Sequence, residues 1–160
     1  MGLKPKLAPW SRFRLWKCIN CGLCCKVYTI PLKIGEALNL VKKYGNVVYS
    51  AGGKFYLKKL ENKQCIFLSY DKTGKSMCTI YNDRPQACIM YPFYIYREPK
   101  SNSSDEAAEF KSDKLRFYVY IDTLCLGLDH MEGLPVNKVI GEIIKTWYLA
   151  EETCTPTFKK

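Results

Sequence analysis

The chain has 160 residues, 48% of them apolar, which suffices for a buried core and excludes disorder as a description of the whole. The net charge is +10, and residues 1–60 hold twelve Lys and Arg against a single acid, Glu36, so the front end is strongly basic. No apolar run is long enough to span a membrane, and the start Met-Gly-Leu-Lys-Pro-Lys-Leu-Ala-Pro lacks the apolar stretch of a secretory signal, so a cytoplasmic protein is expected.

Residues 1–17 read as a basic, aromatic arm carrying Lys4, Lys6, Arg12, Arg14, Lys17, Trp10, Phe13 and Trp16, with Pro5 and Pro9 opposing a helix. A dense cysteine run follows, Cys18-Ile-Asn-Cys21-Gly-Leu-Cys24-Cys25, in which Gly22 marks a tight turn that needs positive φ. After Pro31 the residues Ile34, Ala37, Leu38 and Val41 share one helical face, and Gly45 is the expected stop. Val47–Tyr49 and Lys54–Leu57 flank Ala51-Gly52-Gly53 as a hairpin. Cys65–Tyr70 and Met77–Tyr81 flank Asp71–Gly74 as a second. Asn82-Asp83-Arg84-Pro85 predicts a turn into a short helix carrying Cys88.

Tyr91 to Tyr96 reads as extended, and 100–109 as a polar loop with its tip at Ser101–Asp105. Leu115 to Ile121 has strand composition, and the loop from Thr123 to Pro135 holds Cys125. Beyond Pro135, a helix is predicted with Val136, Val139, Ile140, Ile143, Ile144 and Trp147 on one face. Together these elements predict a single small α+β domain of short antiparallel strands and a few helices, loop-rich and stapled by metal. Its organisation is a 1–17 arm, an 18–153 cysteine-cluster domain and a 154–160 tail.

Eight of the nine cysteines read as two ligand sets for metal, a cluster and a second four-cysteine site: Cys18, Cys21, Cys24, Cys25, Cys65, Cys78, Cys88 and Cys125. Two-residue gaps let the backbone curl so that successive sulfurs point at one centre. The distant four each fall at a strand end, a turn or a loop start, where a ligand is easily presented. An odd cysteine count also fits poorly with complete disulfide pairing. The Cys18-x2-Cys21-x2-Cys24 spacing is that of a ferredoxin half-motif, yet no Cys-Pro follows, so the remaining ligands come from far along the chain.

The pattern resembles the YkgJ-type cysteine-cluster family, the CxxCxxCC zinc- or iron-chelating domain. The residues that carry the resemblance are the Cys18–Cys25 run, Cys65-Ile-Phe-Leu, Cys78-Thr-Ile-Tyr81, Arg84-Pro85-Gln-Ala-Cys88-Ile-Met-Tyr91-Pro92-Phe93 and Cys125-Leu-Gly127, spanning roughly residues 13–135. Cys154 lies outside the pattern and is not expected to be a ligand. The resemblance implies an iron–sulfur or zinc protein, and because some larger relatives are flagellin lysine-N-methylases, it brings protein modification into view. Two adjacent cysteines within a run of four suit a cluster loop better than a zinc knuckle, so an iron–sulfur cluster, [4Fe–4S], is the expected cofactor, with Zn²⁺ the alternative.

No Ser–His–acid set, no paired carboxylates and no His-Glu-x2-His are present, and the lone histidine, His130, sits in a loop. Any chemistry therefore falls to the metal. Arg84 is expected to hold its turn through carbonyls or to neutralise a negative cluster. Two functions stand side by side. One is a redox or protein-modifying protein built on an iron–sulfur centre. The other is a zinc-stabilised binding module that contacts RNA or a ribonucleoprotein such as the ribosome through Lys4, Lys6, Arg12, Arg14, Trp10 and Trp16. Against that second reading, the same aromatics could cover the domain's own core.

Overall fold

The computed structural model describes residues 3–100, 105–112 and 115–152, with side chains described as far as 146. In chain order the strands are β1 (Leu7–Pro9), β2 (Leu15–Trp16), β3 (Pro31–Leu32), β4 (Val48–Ala51), β5 (Lys54–Leu57), β6 (Leu68–Tyr70), β7 (Ser76–Cys78), β8 (Phe93–Tyr96), β9 (Glu109–Ser112), β10 (Leu115–Asp122) and β11 (Leu134–Pro135). The helices are α1 (Leu23–Val27), α2 (Ile34–Tyr44), α3 (Gln86–Met90) and α4 (Val136–Glu152), with 3-10 turns at Trp10–Arg12, Tyr81–Asp83 and Glu106–Ala108. The mixed α+β class with short antiparallel strands is the one that the sequence predicts. These elements fall into two compact units: unit 1 is Met1–Pro5 with Cys18–Tyr91, and unit 2 is Lys6–Lys17 with Pro92–Lys160.

Unit 1 is built on a three-stranded antiparallel sheet, β3-β5-β4, and a separate hairpin, β6-β7. Both hairpins stand where turn chemistry placed them. The second is shorter than predicted, because Cys65–Phe67 form a turn closed by the Leu68 N–H on the Cys65 carbonyl at 3.0 Å. Helix α2 lies against β4 and β5 and ends at Gly45, as expected. Its start is fixed by Glu36, whose carboxylate accepts the Lys33 N–H at 2.8 Å and the Gln86 N–H at 2.7 Å. That carboxylate ties the first turns of α2 and α3 together.

The buried face of α2 is not the apolar stripe that the sequence shows. Ala37 and Leu40 enter the core, whereas Ile34 and Leu38 are each 66% exposed and Val41 is 46% exposed. The stripe is displaced along the helix circumference from the face that meets β4 and β5. The core of the unit comprises Leu32, Ala37, Leu40, Val47, Leu57, Cys65, Phe67 and Ile80, with Cys25 and Cys78 packed against it.

Unit 2 is organised by β10. Strand β8 pairs antiparallel along one edge, with Tyr118 opposite Tyr96 and Ile121 opposite Phe93. Strands β9 and β1 occupy the other edge in succession, with Phe117 opposite Phe110 and Ala8 opposite Ile121. Residues 117–122 are therefore all buried, which accounts for an unbroken apolar run rather than an alternating one. Asp122 is fully buried and accepts the N–H groups of Lys6 (3.2 Å) and Leu124 (3.1 Å). Helix α4 lies against β2 and β11 and buries Val136, Ile140, Ile143 and Ile144, as its 3.6-residue period predicts. Trp147 lies beyond the described side chains, as Cys154 and the predicted 101–104 loop tip lie beyond the described residues. No helix among the described residues is long and apolar enough to cross a membrane.

Residues 6–17 have no α-helix, as Pro5 and Pro9 predict, only the 3-10 turn Trp10–Arg12, but they are ordered into unit 2. The pairing partner of β1 is β10, and that of β2 is β11, with Trp16 opposite Leu134. Both indoles pack within the unit. The Trp10 N–H donates to the Glu109 carbonyl at 3.0 Å, and its ring meets Phe110 edge-on at 5.5 Å. Trp16 meets Phe93 edge-on at 5.2 Å.

Candidate metal centre

The Cys18–Cys25 run is shaped by two left-handed residues, Asn20 (φ 51°) and Gly22 (φ 70°). Their curl leads straight into α1, which Gly22 precedes and which carries Cys24 and Cys25 on its first turn. Ser76 on β7 pins the loop, its hydroxyl and its N–H both donating to the Asn20 carbonyl, at 2.5 and 3.2 Å. A β-carbon at Gly22 would stand 2.9 Å from that of Ser76, so glycine is required there both by φ and by space. The five-residue helix α1 was not legible in the sequence, because the cysteine spacing masks any apolar period.

Each distant thiol of unit 1 is delivered by a short, specific device. Cys65 closes the tight 59–65 loop, in which the Leu60 N–H donates to the Gln64 carbonyl at 2.8 Å, and its own N–H donates to the Cys25 carbonyl at 2.8 Å. That bond joins Cys65 directly to α1. Cys78 ends β7 opposite Leu68. Cys88 lies on α3, where its N–H donates to the Pro85 carbonyl at 2.9 Å.

The electrostatics join these residues. The sulfurs of Cys24 and Cys25 lie 4.0 Å apart and share a hydrogen bond. That bond lowers the Cys24 thiol to about 7 and drives Cys25 far above the ordinary thiol range. Burial pushes Cys65 and Cys88 up, and the charges of Cys24 and Cys78 push both of them further. Charge effects of this kind link Cys24, Cys25, Cys65, Cys78 and Cys88. Two cations border them. Arg84 lowers Cys24 and Cys88, and Lys59, across a β-bridge from Cys65, feels the charges of Cys65 and Cys25. The guanidinium of Arg84 also donates from Nε to the Tyr81 carbonyl at 3.1 Å and stacks on the Tyr81 ring at 3.8 Å, so it holds its turn through a carbonyl as expected. Lys59 carries no motif signal, since only the 59–65 loop brings it to the thiols.

The other candidate ligands stand differently. Cys18 is exposed and Cys21 half-buried, both in the loop before α1. Cys125 belongs to unit 2, where its sulfur accepts the Trp16 indole N–H at 3.4 Å. Gly127 explains the Cys-x-Gly spacing. Its carbonyl accepts the Lys17 N–H at 3.0 Å, and any side chain there would collide with the Lys17 carbonyl oxygen. The loop thereby grips the strand that leads into Cys18. His130 is half-buried, and its Nδ1 accepts the Glu132 N–H at 3.4 Å within the same loop.

Among the described residues no three cysteine, histidine or acidic side chains stand in ligating positions around one point. The chemistry of the donor set nevertheless fits a soft cation. The described cysteines form no disulfide, the candidate donors are all sulfur, and burial with mutual repulsion keeps protons on Cys25, Cys65 and Cys88 that a cation would displace. A small α+β fold carrying such a neighbourhood defines a thiolate metal-binding protein. The chain matches over residues 17–130 the CxxCxxCC family, described as "Putative zinc- or iron-chelating domain". It belongs to that family, and metal binding, of zinc or iron, follows from the match and the donor set together. Neither a curated protein nor a solved structure matches the chain.

Proposed function

We propose that the chain is an iron–sulfur protein, holding a [4Fe–4S] cluster on thiolates drawn from the candidate cysteines of unit 1, with Cys125 the eighth candidate. The observation that carries this reading is the gathering of thiols in unit 1, with the Cys24 and Cys25 sulfurs 4.0 Å apart, the Cys65 N–H on the Cys25 carbonyl, and Cys25 and Cys78 packed against the core that holds Cys65. With Cys18 and Cys21, unit 1 supplies more sulfurs than the four that a single tetrahedral ion accepts. Bound, a cluster supplies one-electron redox chemistry, which zinc does not. The surrounding residues suit a centre of negative charge. Arg84 and Lys59 offset it, and the packing of Cys25, Cys65 and Cys78 against the apolar core limits water around it.

One observation favours the zinc reading. The 4.0 Å between the Cys24 and Cys25 sulfurs is near the roughly 3.8 Å edge of a tetrahedron with zinc–sulfur bonds of about 2.3 Å. Anaerobic purification with iron, sulfide and zinc analysis separates the two. Iron and acid-labile sulfide with broad absorption near roughly 400 nm are expected; colourless protein with stoichiometric zinc would sink the iron–sulfur reading. In either case a chelator that strips the metal is expected to lower the melting temperature, because site binding energy is folding energy.

A further inference from the structure

Unit 2 carries an open groove of about 840 Å³ that no thiol lines. Two kinds of side chain meet in it. Trp10 and Phe110 supply ring surface, already fixed edge to face at 5.5 Å and locked by the indole N–H on the Glu109 carbonyl. Lys111, Arg116 and Lys138 supply positive charge. Two carboxylates, Glu106 and Glu109, also line it, together with Asn137. Glu109 pairs with Lys111 at 3.3 Å and with Arg116 at 3.5 Å, and three cations against two carboxylates leave the lining one positive charge in excess. Lys6, Arg12 and Arg14 of the same unit are exposed, and no ion pair engages them among the described residues. Arg12 ends the 3-10 turn that Trp10 begins.

We infer that this groove binds single-stranded nucleic acid, with an unpaired base against the Trp10–Phe110 pair and its phosphates against Arg116, Lys111 and Lys138. Rings held in place by packing lose little freedom when a base stacks on them, and every base presents a π face. A net charge of +10 draws a polyanion towards the protein from a distance. The arrangement places recognition in a walled groove rather than along a free basic arm. Trp16, whose indole N–H is taken by Cys125 and whose ring abuts Phe93, has no part in it.

The test is fluorescence anisotropy of the metal-loaded, full-length protein with labelled 15-nucleotide RNA and DNA strands of unstructured sequence, over a salt series. Binding of either strand is expected at low salt, weakening as salt rises with a log–log slope of about −2, from roughly three phosphate contacts. Trp10→Ala is expected to weaken binding roughly five- to hundredfold, and Trp10→Phe, which keeps a ring, to restore most of it. Lys138→Gln, on an exposed side chain without an ion pair among the described residues, should flatten the slope by about one phosphate's share without touching the fold. Lys72→Gln, at the exposed tip of the β6-β7 hairpin in unit 1, should change affinity less than about twofold. Absence of binding to both strands at low salt would overturn the inference, as would equal losses at Lys138 and Lys72. Displacement of the strand by polyglutamate at equal charge concentration would overturn it too, in favour of an acidic protein partner.

Discussion

At the scale of the residue, two positions decide whether the thiols can work as a set. Gly22 is one. With φ at 70° and Ser76 immediately beside it, Gly22→Ala is expected to cost about 1–2 kcal/mol from the left-handed backbone alone, and more from the displaced hairpin. Chemical denaturation of the metal-free protein reads that cost directly, and metal content after reconstitution shows whether α1 still presents Cys24 and Cys25. Arg84 is the other. Its positive charge favours the Cys24 thiolate, so Arg84→Gln should move the pH midpoint of Cys24 alkylation upward in the metal-free protein. Arg84→Lys should hold that midpoint while losing the stack on Tyr81. A midpoint equally displaced in both variants would show that Arg84 acts through the turn and not through charge. Single Cys→Ser changes at each of the eight candidate ligands are expected to lower metal content, with Cys125→Ser the one that reads the contribution of unit 2.

At the scale of the element, the thiols set a pH dependence. Burial holds Cys65 and Cys88 protonated beyond the ordinary thiol range in the metal-free fold, whereas in the unfolded chain they ionise near about 8.5. Below that value both states keep their protons and the contribution to stability is fully present. Above it the unfolded chain binds fewer protons, so stability falls as pH rises. The metal-free protein should therefore lose melting temperature as pH rises above about 8.5, a decline that the loaded protein, its ligands already deprotonated, should lack. Calorimetry in buffers of different ionisation enthalpy should also find protons released on loading, and affinity falling as pH falls.

The same scale shows what could be read from the sequence. Helix α4, β10 and both hairpins were legible because period, strand composition and turn residues agree there. In α2 the helix was legible but its buried face was not, since Ile34, Leu38 and Val41 form a coherent apolar stripe that the sheet does not cover. Strands β1 and β2 were not legible at all. They have three and two residues, and their hydrogen bonds come from positions more than a hundred residues away, at Asp122–Tyr120 and Leu134–Pro135. The cysteine motif named its candidate ligands, but only the fold shows that charge effects link five of them and that Lys59 stands among them.

At the scale of the whole molecule, net charge offers a way to count metal sites. From +10, one four-thiolate site holding either Zn²⁺ or a [4Fe–4S]²⁺ cluster brings the protein to about +8, and two bring it to about +6. Capillary electrophoresis of metal-free and loaded protein at neutral pH should resolve those steps, and an unchanged mobility on loading would contradict thiolate ligation. The division of the chain has a further result, which concerns its synthesis. Cys18–Tyr91 is inserted between the two parts of unit 2, so all seven cysteines of unit 1 are synthesised before β10. Until then Leu7–Pro9 is a strand without its neighbour. The sulfur-rich unit can therefore mature first, and the closing of β1 onto β10, a contact spanning more than a hundred residues, is left as a slow and late event of biogenesis.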